Sequence, residues 1–167
     1  MHGNRDFLMG RGFFEAAGAV HLPDPCVIDL DGGKTLLTHG DMLCTADAEY
    51  QAFRRQVRAE SWQSDFLMQP LPVRKAVISG LRKQSEEKKQ EKSLAIMDVD
   101  PHAVDALFRQ YDCSRMIHGH THRPGSHFIT VDSRPCQRWV LGDWHEGGAA
   151  CIYCEEGVLG FLDAVNR

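Results

Sequence analysis

Apolar positions along the chain recur with two rhythms, which together predict strands and helices in mixed order. Short apolar runs at 25–30 and 34–38 flank Asp31-Gly32-Gly33 and predict a hairpin. Residues 11–17 predict a short helix closed by Gly18. Tyr50, Phe53 and Val57 recur at helical spacing, and Ser61 is a candidate cap for a second helix carrying Trp62, Phe66 and Leu67. Pro70 and Pro72 break that helix, and a third carries Val73, Ala76, Val77, Leu81 and Gln84. Asp100-Pro101 pairs an N-cap with a first-turn proline, and Val104, Leu107 and Phe108 give the buried face of the helix it starts. Residues 113–117 predict a short strand. Four more strands are predicted at about 127–132, 136–142, 149–154 and 157–162, with turns at Asp132-Ser133-Arg134-Pro135, the glycine-rich 142–148 and Glu155-Glu156-Gly157. The expectation is an α/β fold, with 47–92 as a helical insertion standing off the sheet.

The polar residues with pointed chemistry collect where predicted strands end. His118-Gly119-His120-Thr121-His122-Arg123-Pro124 carries three imidazoles two residues apart. On an extended segment a period of two puts alternate side chains on one face, so neighbouring rings can converge on a cation. The strand Thr35-Leu36-Leu37-Thr38 runs directly into His39-Gly40-Asp41, at the kind of sheet rim where α/β sites are built. Asn4, in His2-Gly3-Asn4-Arg5-Asp6, adds an amide oxygen. This mixed N/O set suits manganese, zinc or iron better than calcium or magnesium. Arg5 beside Asn4 suits a phosphate oxygen. Asp41 reads as a partner behind the ligands, and His118 as structural.

Composition narrows the class. The chain has 167 residues, 43% of them hydrophobic, enough for one domain with a core. A net charge of -4 gives no general attraction to nucleic acid. Arg74 to Lys92 runs against that balance, with seven basic residues to three acidic ones. The N-terminal residues lack the apolar region of a signal peptide, so the six cysteines are expected as thiols and the cytosol as the compartment. Cys151-Ile152-Tyr153-Cys154 has zinc-like spacing, but within a strand its sulfurs face opposite sides.

The strings His2-Gly3-Asn4-Arg5-Asp6, Thr38-His39-Gly40-Asp41 and Gly119-His120-Thr121-His122 resemble the later motifs of the calcineurin-like metallophosphoesterases. Further strings are similar to one branch, the UDP-2,3-diacylglucosamine pyrophosphohydrolases of bacterial lipid A synthesis. They are Cys44-Thr45-Ala46-Asp47 with Tyr50-Gln51-Ala52-Phe53-Arg54, Lys92-Ser93-Leu94-Ala95-Ile96-Met97-Asp98-Val99, Met116 through Pro124, and Leu141-Gly142-Asp143-Trp144. The resemblance covers essentially the whole chain. It implies stacked β-sheets flanked by helices, with the core at 1–46 and 93–167 and a helical cap at 47–92.

The resemblance also implies a di-manganese centre, where two cations about 3.5–4 Å apart activate water and clamp the phosphoryl oxygens. The implied reaction is attack of water on the α-phosphorus of UDP-2,3-diacylglucosamine, giving UMP and 2,3-diacylglucosamine 1-phosphate. Carried over by position, Asn4, His39 and His120 would bind one metal and His122 the other. Arg5 and His120 would face the phosphates. Asp47, Ser85 and Lys92 would hold the substrate from the cap, with Lys89 standing where the family often has asparagine. The implied location is cytoplasmic, peripheral on the inner face of the inner membrane, with the basic cap segment meeting phosphate and membrane.

The family also opens with an Asp-x-His motif and a later Gly-Asp motif, which supply the remaining ligands and the bridging aspartate. Neither precedes Asn4, so the expectation is an N-terminally truncated enzyme lacking its first βαβ portion. Such a chain would expose an unpaired sheet edge, hold at most one metal, leave His122 without metal-binding companions and turn over weakly or not at all. Two other readings stand beside it: a non-catalytic metal-binding fragment, and another metallophosphoesterase acting on nucleotides.

Overall fold

Three two-residue loops set the register of the β structure. Asp31-Gly32, Asp132-Ser133 and Glu156-Gly157 all have positive φ at both positions, the backbone that matches the twist of a tight hairpin. They join β1 (Cys26–Leu30) to β2 (Gly33–Thr38), β4 (Gly125–Val131) to β5 (Arg134–Val140), and β6 (Ala150–Glu155) to β7 (Val158–Asp163). The second turn is thus shorter than its sequence suggests. Arg134 and Pro135 already belong to β5, where they pair with Val131 and Thr130. These elements come from a computed structural model that describes every residue except 92–95, 97, 145–149 and 164–167, with the backbone alone described at 88–91, 150 and 163.

The chain forms two units, Met1–Leu43 with Val99–Arg167, and Cys44–Asp98. The first holds α1 (Arg11–Ala16), α5 (Pro101–Tyr111), β3 (Arg115–His118) and a five-stranded sheet in the order β1-β2-β3-β5-β4, with β6 and β7 as a separate pair. Strands β2, β3 and β5 are parallel and central, and the antiparallel β1 and β4 form the edges. This is an α/β fold with a mixed sheet. Val27 on β1 and Phe128 on β4 are exposed.

The core lies between the sheet and α5. Leu36, Leu43, Val104, Leu107, Phe108, Cys113, Met116, Val131 and Cys136 pack together. Phe108 and Met116 are shut from solvent entirely, each such side chain stabilising the fold by about 1.5–3 kcal/mol. Asp100 caps α5 by accepting from the His102 N–H, and Pro101 occupies the first turn, where a missing N–H loses no helical bond. The left-handed Asp112 ends the helix.

The second unit is helical: α2 (Ala48–Arg58), α3 (Glu60–Met68) and α4 (Leu71–Glu91). The expected cap at Ser61 is corrected here. The chain turns at Ala59, which lies in an extended conformation between α2 and α3, so Glu60 opens α3 and Ser61 sits inside it. Trp62 and Phe66 stack with ring centroids 5.0 Å apart, one helical turn along the same face. Pro72 falls in the first turn of α4, and Leu71, Val73 and Val77 are exposed.

One polar clasp ties the first unit's turns together. Arg115 donates to Leu30 O at 2.6 Å and to Gly157 O at 2.8 Å. Its guanidinium occupies the space where a Cβ on Gly33 would sit, 1.8 Å from that position. Gly33→Ala is therefore expected to displace Arg115 from both carbonyls and to destabilise the protein by about 1–3 kcal/mol. Urea denaturation at neutral pH measures this.

Candidate metal centre

The three parallel strands end on one rim in register. Thr38 pairs with His118, and His118 with Val140. The chain therefore leaves the sheet side by side at His39, at Gly119 and at Leu141. This is the rim where open α/β sheets build their sites.

His39 is fixed from below. Its backbone N–H donates to Asp24 Oδ1 at 3.0 Å, the same oxygen that accepts from the Thr38 hydroxyl at 2.7 Å. Thr38 Oγ1 in turn accepts from the Gly40 N–H. The imidazole lies against the N-terminal segment: a Cβ on Gly3 would stand 3.1 Å from His39 Cε1. Asn4 follows directly and is half-buried, while Arg5 is exposed.

The histidine loop departs from the expected geometry. His118 closes β3, but His120 and His122 have φ of 68° and 53°, in the left-handed region. The segment is therefore not extended, and the period of two does not place three rings on one face. His118 points inward, 1% exposed. His120 meets His39 edge-on, with ring centroids 5.1 Å apart and planes at 67°. His122 is exposed, its Nδ1 lying 3.6 Å from Asp143 Oδ2, a carboxylate the sequence motifs did not assign to it.

His118 is held at both nitrogens. Arg138 Nη1 lies 2.9 Å from Nε2, and Nδ1 lies 2.9 Å from Gly119 O. A guanidinium can only donate, so Nε2 accepts and the neutral Nδ1–H tautomer donates to the carbonyl. Burial is the main cause that pushes the imidazole down to about 4 from 6.5, and the charge of Arg138 acts in the same direction.

The donor set fits one cation. Two imidazoles bound to a first-row metal at about 2.1 Å place their centroids roughly 5 Å apart, which matches His39 and His120. Their neutral nitrogens suit manganese, zinc or iron. Asn4 adjoins Gly3, which lies against the His39 ring. Among the described residues, no group of three or more His, Cys, Asp or Glu gathers around a single point. His122 therefore does not join the pair. Asp41, also at this rim, is fully buried in the 3-10 turn Asp41–Leu43.

The candidates on the second unit have separate settings. Asp47 is the N-cap of α2, its carboxylate accepting from the Tyr50 N–H at 3.0 Å. Ser85 is exposed on α4, and Lys89 lies on the same helix. Lys92 lies outside the described residues. Sequence reasoning missed Asp24 and Arg138. Both act on residues 14 to 20 positions away in sequence, and neither stands in a local motif.

Comparison with known proteins gives a consistent set of relatives. The chain is 56% identical over 144 residues to a protein from Aromatoleum aromaticum, covering 86% of this chain and 59% of that protein. It is 50% identical over 157 residues to one from Aeromonas salmonicida, covering 94% and 61%. It is 49% identical over 142 residues to one from Bordetella pertussis, covering 85% and 55%. Each is named a UDP-2,3-diacylglucosamine hydrolase. The chain spans about three-fifths of the length of these curated relatives. No protein-family model matches it.

Proposed function

We propose that this chain, 56% and 50% identical to two UDP-2,3-diacylglucosamine hydrolases over about three-fifths of their length, is part of such an enzyme and works in hydrolysis of the pyrophosphate bond of UDP-2,3-diacylglucosamine. The products are UMP and 2,3-diacylglucosamine 1-phosphate. The observation that carries this reading is the edge-on pair His39 and His120 at the ends of two adjacent parallel strands.

His39, His120 and Asn4 would hold one Mn2+, and His122 would serve a second metal position. A divalent cation there supplies Lewis-acid polarisation of a phosphoryl oxygen and lowers the pKa of bound water. The neutral imidazoles and amide leave the cation's charge uncancelled, which favours an anionic diphosphate. Arg5, exposed beside Asn4, pairs with a phosphate oxygen. By the family's pattern, Asp47, Ser85, Lys89 and Lys92 would take the sugar, phosphate and acyl-linked groups of the substrate. Exposed Leu71, Val73 and Val77 share α4 with its basic residues. That combination supports work at an anionic membrane surface on the cytoplasmic side. No helix among the described residues is long and apolar enough to cross a membrane.

Within residues 1–167, neither the family's opening Asp-x-His motif nor its Gly-Asp motif precedes Asn4. By themselves these residues are expected to hold at most one metal and to hydrolyse weakly or not at all. The test compares residues 1–167 with the same residues joined to a segment bearing the family's Asp-x-His and Gly-Asp motifs. With Mn2+, the joined polypeptide should release UMP from the diacylated substrate at least about 100-fold faster than residues 1–167 alone. It should also prefer that substrate over UDP-N-acetylglucosamine and ATP. Preference for ATP would favour a nucleotide phosphoesterase instead.

A further inference from the structure

Five hydrogen bonds connect β5 to the loops of His39 and His120 through the two peptide units that meet at Gly119. Arg138 Nη1 donates to His118 Nε2 at 2.9 Å, and His118 Nδ1–H donates to Gly119 O at 2.9 Å. The same carbonyl accepts from the Thr121 N–H at 2.8 Å, and the Gly119 N–H donates to His39 O at 3.1 Å. His118 O accepts from the Leu141 N–H at 2.7 Å. Gly119 thus has its carbonyl oxygen, in the peptide shared with His120, tied to His118, and its N–H, in the preceding peptide, tied to the loop of His39. His120 follows it directly.

The fit is close on both sides. Gly40 has φ of 102°, and a Cβ there would stand 2.8 Å from His118 Nδ1 and 3.0 Å from Gly119 O. The left-handed φ of His120 turns its ring out of the strand direction towards His39. A peptide free to rotate at 119 would swing that ring away.

We propose that Arg138 and His118 are positioning residues of the metal seat. Arg138 fixes the tautomer of His118, and His118 fixes the Gly119 peptide that aligns His120 against His39. The proposal rests on the reading of His39 and His120 as metal ligands. Residues standing behind metal ligands in this way typically change metal affinity by about 10–100-fold when removed.

The experiment measures two things on residues 1–167: Co2+ affinity by visible absorption, and the ring-to-ring nuclear Overhauser contact between His39 and His120 in metal-free protein. Arg138→Met removes the donor at similar volume. It is expected to weaken Co2+ binding at least tenfold, abolish the ring contact and shift the 15N signature of His118 away from the Nδ1–H form. Arg138→Lys, which restores a donor, should recover most of both. His118→Asn keeps a donor for Gly119 O and needs no Arg138, so it should retain the ring contact where His118→Leu loses it. This second pair carries the test if Arg138→Met does not fold. An unchanged ring contact in folded Arg138→Met, or in His118→Leu, overturns the positioning role. Equal Co2+ affinity in wild type and His39→Ala overturns the metal reading instead, and leaves the ring contact to decide the positioning on its own.

Discussion

Substituting His120 by alanine should lower UMP release roughly 1,000-fold in a polypeptide that joins residues 1–167 to the family's Asp-x-His and Gly-Asp motifs. A metal ion supplies several kcal/mol of transition-state stabilisation, and each 1.36 kcal/mol is a factor of ten. His120 is one of the two imidazoles that face each other at the rim. Removing it takes away the imidazole that meets the His39 ring. The fold should survive, because the side chain lies outside the core packed around Leu36 and Phe108. Its left-handed backbone is no easier for alanine than for histidine, so the melting temperature should change little. Steady-state kinetics with Mn2+, alongside a thermal melt, checks both halves. A thermal melt that collapses together with the rate would point to a structural role for His120.

Acid should destabilise the metal-free protein through His118, and His118→Asn should blunt that effect. The imidazole is pushed down to about 4 in the folded chain against 6.5 when unfolded. The folded state therefore binds fewer protons between those values. The stability linked to the neutral ring is fully present above about 6.5 and is lost as pH falls towards 4, below which it declines no further. The full loss is about 3 kcal/mol. Wild type should lose about 2–3 kcal/mol more than His118→Asn between pH 7 and pH 4.5. Urea unfolding in EDTA at the two pH values reads this difference. Equal losses would mean that His118 is reached by solvent and protonates in place.

Much of the architecture was legible because it is locally encoded. Asp100-Pro101 announces α5 through cap chemistry, and the apolar spacing of Val104, Leu107 and Phe108 names its buried face. Asp31-Gly32 marks a hairpin by the positive φ it tolerates. The misplaced features are those in which a local signal had a competitor. Ser61 is a good capping residue, but extended Ala59 ends α2 and starts α3 two residues earlier. Arg134-Pro135 reads as turn, yet Asp132-Ser133 completes the reversal alone.

The site was legible as a set of residues and illegible as an arrangement. Asn4, His39, His120 and His122 stand out by motif, but the alternation of histidines suggests a strand face that the left-handed backbone at His120 and His122 removes. The three rings then separate: His118 to Arg138, His120 to His39, and His122 to Asp143. Asp24 and Arg138 were invisible because their roles depend on strand pairing across the sheet. Only register brings Thr38, His118 and Val140 into one row.

The number of Mn2+ ions held by residues 1–167 after equilibrium dialysis, with and without His39→Ala, tests the single-cation seat most directly. The expected result is one ion per chain at most, lost in His39→Ala. Two tightly held ions per chain, or one ion indifferent to His39→Ala, would contradict it.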